Sequence, residues 1–191
     1  MNIPVVSFAD APQKLHEGSL LIAFLDGSYA IIGDARNENT MESLRQIKSR
    51  GPEKGFTILI DSDARLNRYV KEIPPLAWDI IDSSDDPIIL VLPEGQNLAA
   101  NALASDRSVA IRMVKTAEAR KLVQITNGPV ACTALPDTSG HPASNIDLVS
   151  PGILEKVDYL LTLPTVKIPG SPKKIPIIAL GMAGEIRIIR Q

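Results

Sequence analysis

Three cations lie close together around a Gly-Pro pair in the first third of the chain. Lys48, Arg50 and Lys54 flank Gly51 and Pro52, between a helix-like segment and a strongly apolar run. Arginine presents a flat, two-pronged donor and lysine a point charge, and both side chains bind phosphate and carboxylate groups. One interpretation of this stretch is therefore a basic elbow that closes on an anion.

The other interpretation is purely local. Residues 41, 44, 47 and 48 fall at helical spacing after a polar start at Asn39 or Thr40. Pro52 lacks an amide hydrogen and restricts the residue before it, so the helix must end there. Lys48 and Arg50 would then lie in the last turn, where the helix dipole favours cations. The local sequence leaves both interpretations open.

The size and charge of the chain favour one globular domain. Its 191 residues, of which 45% are hydrophobic, can bury a substantial core, and we expect a single domain over residues 1–191. The 20 lysines and arginines nearly balance the 22 acidic residues. The charge of the whole molecule therefore gives no indication of nucleic-acid binding, although a local basic face is compatible with it.

Several classes of protein are disfavoured by what the sequence contains. A single cysteine, Cys132, rules out an internal disulfide, and with only His16 and His141 beside it we predict no metal site. No apolar run approaches the ~20 residues that span a bilayer. The first residues do not read as a secretory leader. We therefore expect a cytoplasmic protein without membrane association.

The elements that must position these cations alternate between apolar runs and turn signals. Continuous apolar runs predict buried strands over residues 20–25, 56–60 and 87–92. The turn signal at residues 26–28 predicts a return strand over 29–33. Amphipathic spacing predicts helices before Lys48 and over 116–124. Because helices and strands mix without strict alternation, we predict an α/β (α+β) domain with a mixed sheet.

Taken together, several short segments resemble signatures of the YrdC/YciO family, whose best-known members are threonylcarbamoyl-AMP synthases. The sequence Phe-Leu-Asp-Gly-Ser-Tyr-Ala-Ile is similar to the family's Pro-Thr-Asp-Thr-x-Tyr-Gly-Leu, and Lys-Ser-Arg is similar to its Lys-x-Arg. Eight segments match in the family's order and cover nearly the whole chain. They are residues 24–31, 34–35, 48–54, 87–90, 109–112, 129–140 and 164–166, together with Arg190.

The resemblance implies a fold, a ligand and a set of site residues. The expected fold is a YrdC-like twisted mixed sheet, surrounded by helices, with a large open cleft. In the family this cleft takes ATP, Mg²⁺, bicarbonate and L-threonine for tRNA modification in support of translation, and binding of double-stranded RNA has been proposed. The ligand-binding residues expected here are Lys48, Arg50, Lys54, Arg112, Thr165 and Arg190. We expect Lys48 and Arg50 over a concave sheet face, with Arg112 reaching toward them.

The departures from the family pattern indicate an altered activity. Leu25 and Gly27 occupy the positions of two threonines that line the amino-acid end of the family's cleft. Leucine cannot bond a hydroxyl or an ammonium group, and an unpaired polar group in a buried site costs about 1–3 kcal/mol. Residues 134–137, Ala-Leu-Pro-Asp, replace the family's Ser-Ala-Asn, and Asp137 would repel a phosphate. Relative to the family's signatures, this sequence keeps more of the cations than of the neutral polar residues.

Some of these residues have a structural interpretation as well. Arg112 could pair with Asp34 or another carboxylate, and Asp26 could serve as a turn residue that bonds its own backbone. Cys132 is typical of a buried, inert thiol. His141, Ser139 and Asp137 are too close in sequence for a hydrolase triad.

Three functional hypotheses follow. The first is a protein that binds a nucleotide or an RNA phosphate backbone, double-stranded RNA or tRNA among them, and has diverged from catalysis. The second is an active ATP-dependent nucleotidyltransferase of the threonylcarbamoyl-AMP synthase type with altered amino-acid specificity. The third is a non-catalytic interaction protein with an empty cleft. ATP and Mg²⁺ enter these hypotheses through the resemblance alone.

Overall fold

The computed structural model describes residues 3–49, 51–162 and 174–190. Arg50 and Thr165, two of the predicted site residues, lie outside the described residues. Within them the chain forms ten strands and six α-helices. The strands are β1 (Val5–Val6), β2 (Leu21–Leu25), β3 (Ser28–Asp34), β4 (Thr57–Ile60), β5 (Ile89–Leu92), β6 (Val109–Met113), β7 (Val130–Ala134), β8 (Tyr159–Leu161), β9 (Ile177–Leu180) and β10 (Ile186–Arg190).

The helices are short and lie on both sides of the sheet. They are α1 (Ala11–His16), α2 (Glu38–Ile47), α3 (Leu66–Tyr69), α4 (Pro75–Ser83), α5 (Ala117–Thr126) and α6 (Pro151–Leu154). The Asn37 side chain caps α2 by accepting a hydrogen bond from the Thr40 amide at 3.1 Å, so this helix begins slightly before the predicted start. Thr116 caps α5 in the same way, through the Ala119 amide.

All described strands belong to one mixed sheet in the order β1-β8-β2-β3-β7-β4-β6-β5-β9-β10. Parallel pairs join β1 to β8, β8 to β2, β4 to β6 and β5 to β9, and the other neighbours are antiparallel. This arrangement confirms the predicted α/β fold with a mixed sheet.

The two faces of the sheet bury two different clusters. One face packs against α2 and α4 through Met41, Leu44 and Ile81, and the other packs against α1 and α5 through Leu15 and Leu122. All five residues of β2 are buried, which agrees with its unbroken apolar sequence. The predicted return strand is β3, and the turn between them holds Asp26 and Gly27 at φ 48° and 94°, as a two-residue hairpin turn requires.

Candidate anion-binding site

A pocket of about 660 Å³ opens on the half of the sheet formed by β4, β6, β5, β9 and β10. Its floor is one row of residues directly opposite each other on these five strands. The row is Thr57, Ala110, Val91, Ala179 and Arg187. Residues in register point to the same face of a sheet. The floor is therefore small and apolar in its middle, and it ends in a cation.

Charged side chains surround this apolar floor. Lys54, Arg187 and Arg190 contribute three cations to the lining, and Glu53 and Asp106 contribute two carboxylates. The Arg190 guanidinium donates two hydrogen bonds to the Ile175 carbonyl, at 3.0 and 2.7 Å. Its partial desolvation lowers the pKa of Arg190, but an arginine remains charged at neutral pH. The rim is thus positive by one charge.

The carboxylate of Asp106 is held in its charged form on the pocket wall. The Ser108 hydroxyl and the Ser108 amide donate to its Oδ1 at 2.6 and 2.9 Å. These bonds, followed by the charge of Arg187, hold the pKa of Asp106 below its usual range. Asp106 therefore contributes a negative charge to the same pocket lining as Arg187.

The predicted cations separate into three groups in the structure. Lys54 and Arg190 both line the pocket. Lys48 follows α2 and donates from Nζ to the Ala134 carbonyl at 2.9 Å, at the end of β7. Arg112 is not among the lining residues. Two of the predicted cations therefore line one pocket, and their role in binding stays a prediction.

Arg112 occupies the interior, beside a carboxylate. Its Nη2 lies 3.0 Å from Oδ2 of Asp26, and the two side chains are only 5% and 2% exposed. The other oxygen of Asp26 accepts hydrogen bonds from the amides of Lys115 and Thr116 at 3.1 and 3.0 Å. Arg112 therefore pairs with a carboxylate, as the structural interpretation held, and its partner is Asp26. Asp34 instead forms a two-pronged pair with Arg36.

The role of Arg112 in ligand binding stays a prediction, but in this structure its side chain is held by Asp26. The sequence could not reveal this, because Asp26 lies 86 positions away and reaches Arg112 only through the turn between β2 and β3. Within the Arg112 guanidinium, Nε is buried and has no hydrogen-bond partner among the described residues.

The two replaced threonine positions also have clear structural roles. Leu25 is fully buried in the core that packs against α1 and α5. Gly27 has φ 94°, and no atom lies within 4 Å of the position that a Cβ would take. Because leucine and glycine have no polar side-chain atoms, neither position offers a side-chain hydrogen bond to a ligand.

The loop after β7 contains no catalytic triad. Oδ1 of Asp137 accepts hydrogen bonds from the amides of Ser139 and His141, at 2.8 and 3.0 Å, so this carboxylate closes a turn. Cys132 is buried, as predicted. Within the described ranges there is no group of three or more candidate metal ligands. Nor is there, in that part of the chain, a helix long and apolar enough to cross a membrane.

Sequence reasoning missed Arg187, Asp106 and Ser108. A signal for Arg187 existed in the alternation of residues 186–188, Ile-Arg-Ile, which is typical of a strand with one polar face. For Asp106 and Ser108 there was none, because they precede β6 in a connection whose position depends on the register of the sheet.

Comparisons with known proteins agree with this architecture. The family model named Sua5_yciO_yrdC, described as "Telomere recombination", matches residues 13–191. A threonylcarbamoyl-AMP synthase of Hydrogenovibrio crunogenus is 23% identical over 154 residues, which is 77% of this chain and 81% of that protein.

Solved structures share the fold at low sequence identity. The crystal structure of E. coli YciO superposes with a TM-score of 0.79 at 15% identity and covers 100% of this chain and 95% of that one. The P. abyssi Sua5 structure complexed with L-threonine gives a TM-score of 0.74 at 20% identity, over 94% of this chain and 54% of that one. The chain thus spans about half the length of Sua5.

Proposed function

This chain belongs to the Sua5/YciO/YrdC family, and from that membership we propose that it binds a nucleotide in connection with tRNA threonylcarbamoyladenosine modification. The observation that carries the proposal is the pocket that combines a small apolar floor with three cations. A nucleotide needs both, because its base is flat and weakly polar while its phosphates are charged. The volume of about 660 Å³ suits a small ligand, since such sites measure about 300–1,000 Å³.

The spacing of the charges supports a ligand of nucleotide size. Lys54 precedes β4 at one wall, and Arg187 lies on β10 at the other. Four strand intervals of ~4.8 Å separate these strands, roughly 19 Å along the sheet, and the long side chains on both walls shorten that gap. We expect ATP to lie between these walls, with its phosphates toward the cations of one of them. Mg²⁺ bound with ATP needs only one or two protein carboxylates, and Glu53 and Asp106 are available.

A broader form of the same proposal is that the protein binds an RNA phosphate backbone, in double-stranded RNA or tRNA. A duplex would need cations in a stripe over an open surface, whereas these cations surround a concave pocket with two carboxylates among them. The mononucleotide is therefore favoured.

The test is a calorimetric titration of the protein with ATP and Mg²⁺ and, separately, with a short RNA duplex, each at two salt concentrations. We expect ATP to bind, and Lys54→Ala to weaken it about tenfold, the effect of losing one hydrogen bond to a charged group. Arg120→Ala is the control, because it also removes one cation, and Arg120 lies on α5, outside this pocket.

The outcomes separate the two forms of the binding proposal from the hypothesis of a non-catalytic interaction protein. Tighter binding of the duplex, with a steep loss at high salt, would favour the RNA form. Absence of binding to either ligand would overturn the proposal and leave a non-catalytic interaction protein.

Catalysis is a second candidate, favoured by the alignment with the H. crunogenus synthase over most of both chains. Pyrophosphate release from ATP and bicarbonate, screened over a panel of amino acids, tests it. We expect no release with threonine, because Leu25 is in the core and Gly27 has no side chain. Release with another amino acid would establish altered specificity.

A further inference from the structure

Arg45 on α2 is not among the residues that line the pocket, but its side chain bonds the loop that carries Lys54. Its Nη1 donates to the Gly51 carbonyl at 2.6 Å and to the Lys54 carbonyl at 3.4 Å. Its Nη2 donates to the Asn101 carbonyl at 2.6 Å. The guanidinium carbon also lies 5.2 Å from the centre of the Phe56 ring. One side chain on α2 therefore touches both ends of the loop that carries Lys54.

The loop also contacts the segment that follows Asn101 directly, through its own backbone. The Phe56 amide donates to the Ala102 carbonyl at 2.9 Å. Gly55 lies so close to this segment that a Cβ there would be 2.7 Å from the Ala104 amide nitrogen. Ala104 lines the pocket together with Lys54. The loop over residues 51–55 thus lies against residues 101–104, and the Arg45 side chain hydrogen-bonds a carbonyl of each segment.

We propose that Arg45 is a positioning residue: it holds the 51–55 loop on the 101–104 segment and so fixes Lys54 at the rim of the pocket. A guanidinium suits this task because its planar fork holds five donors in fixed directions, whereas a lysine ammonium is a compact charge on a flexible stem. The part concerning the ligand rests on the proposed nucleotide binding, whereas the part concerning the loop does not.

The loop is tested first, by amide hydrogen exchange of the full chain without ligand. Arg45→Ala should raise the exchange rates at residues 54–56 about tenfold, as expected when an opening is made easier by one charged hydrogen bond. Arg45→Lys should rescue this in part, since it keeps the charge and can serve one carbonyl group. Arg120→Ala should leave these rates unchanged. Unchanged rates in Arg45→Ala would overturn the proposal whatever the ligand is.

The effect on Lys54 is tested by a double-mutant cycle with ATP and Mg²⁺. If Arg45 acts through Lys54, Arg45→Ala weakens ATP binding in the natural chain and adds nothing in the Lys54→Ala background. A purely structural role would lower the thermal midpoint in both backgrounds without this dependence. Equal weakening in both backgrounds, or none in the natural chain, would overturn the proposal. Absence of ATP binding by the natural protein would instead overturn the proposed function, while the exchange result would still decide the role of Arg45.

Discussion

Two arginines in one row of the sheet have opposite surroundings. Arg112 on β6 and Arg190 on β10 belong to the register row that also contains Leu59, Ile89 and Ile177. Residues in such a row point to one face. Arg112 is buried against Asp26, whereas Arg190 lines the pocket and bonds only a carbonyl oxygen in the described structure.

The register of the strands determines the sheet face to which each arginine points. The neighbouring residues determine whether that arginine is buried in an ion pair or lies at the rim of the pocket. The turn between β2 and β3 brings Asp26 to Arg112 and closes the interior around the pair. Arg190 lies on β10, which is the last strand of the sheet among the described residues, so no further strand of that sheet pairs with it on its outer side. A cation at the rim can bind a ligand, and a cation sealed by a carboxylate primarily maintains the fold.

The largest effect should come from breaking the interior pair. Asp26→Ala leaves the Arg112 charge buried and also deprives the amides of Lys115 and Thr116 of their acceptor. We expect a loss of about 3–5 kcal/mol in the free energy of unfolding, as for other buried pairs from which one partner is removed. Denaturant unfolding measures it.

The matched control is Asp26→Asn, which keeps an acceptor for the two amides and removes only the charge, so its cost should be smaller. A change below about 1 kcal/mol in Asp26→Ala, the range of solvent-exposed pairs, would contradict the comparison. Arg112 would then have to be solvated, and its predicted role in ligand binding would regain support.

A smaller effect is expected at the rim. Arg187 is exposed, and its charge contributes to lowering the pKa of Asp106 on the pocket wall. Arg187→Ala should change the free energy of unfolding by no more than about 0.5 kcal/mol, since surface substitutions seldom do more. It should nevertheless weaken ATP binding. Paired denaturant and calorimetric measurements check this, and a large loss of stability with unchanged binding would reverse the assignment of the two regions.

The smallest effect concerns the pH dependence of the rim. Ser108→Ala removes the hydroxyl that contributes most to lowering the pKa of Asp106, so that pKa should rise toward its ordinary value. A carboxyl whose pKa is lowered on folding stabilises the protein above the pKa of the unfolded chain and loses that contribution as the pH falls through its folded value. The variant should therefore lose slightly less stability on acidification. NMR titration of Asp106 measures the shift, and an unmoved pKa would contradict it.

The sequence predicted the parts of the fold that depend on local patterns. The apolar run of β2, the hairpin turn at Asp26 and Gly27, and the end of α2 before Gly51 follow from residue type and spacing, and the structure has all of them. The mixed character of the sheet was predicted from the irregular succession of elements.

The residues that make up the candidate site were harder to predict from the sequence, because the site depends on the pairing of distant strands. The pocket joins β4 to β10 through three strands that are far apart in sequence, and its floor exists only in the register that brings Ala110 beside Val91. Arg112 could be recognised as a cation at a strand end, but its partner Asp26 lies in a turn 86 positions earlier. Local sequence cannot contain that information.

The position of β10 has a consequence for the solution behaviour of the protein. It is an edge strand in the described structure, and Ile186, Ile188 and Ile189 are each about half exposed along it. An exposed apolar edge can recruit a strand from another molecule, and charged side chains on the edge oppose this. Arg187 and Arg190 are the charged side chains on this strand, and we expect them to oppose such pairing. Replacing both should make the protein prone to aggregate at concentrations where the natural chain stays dispersed.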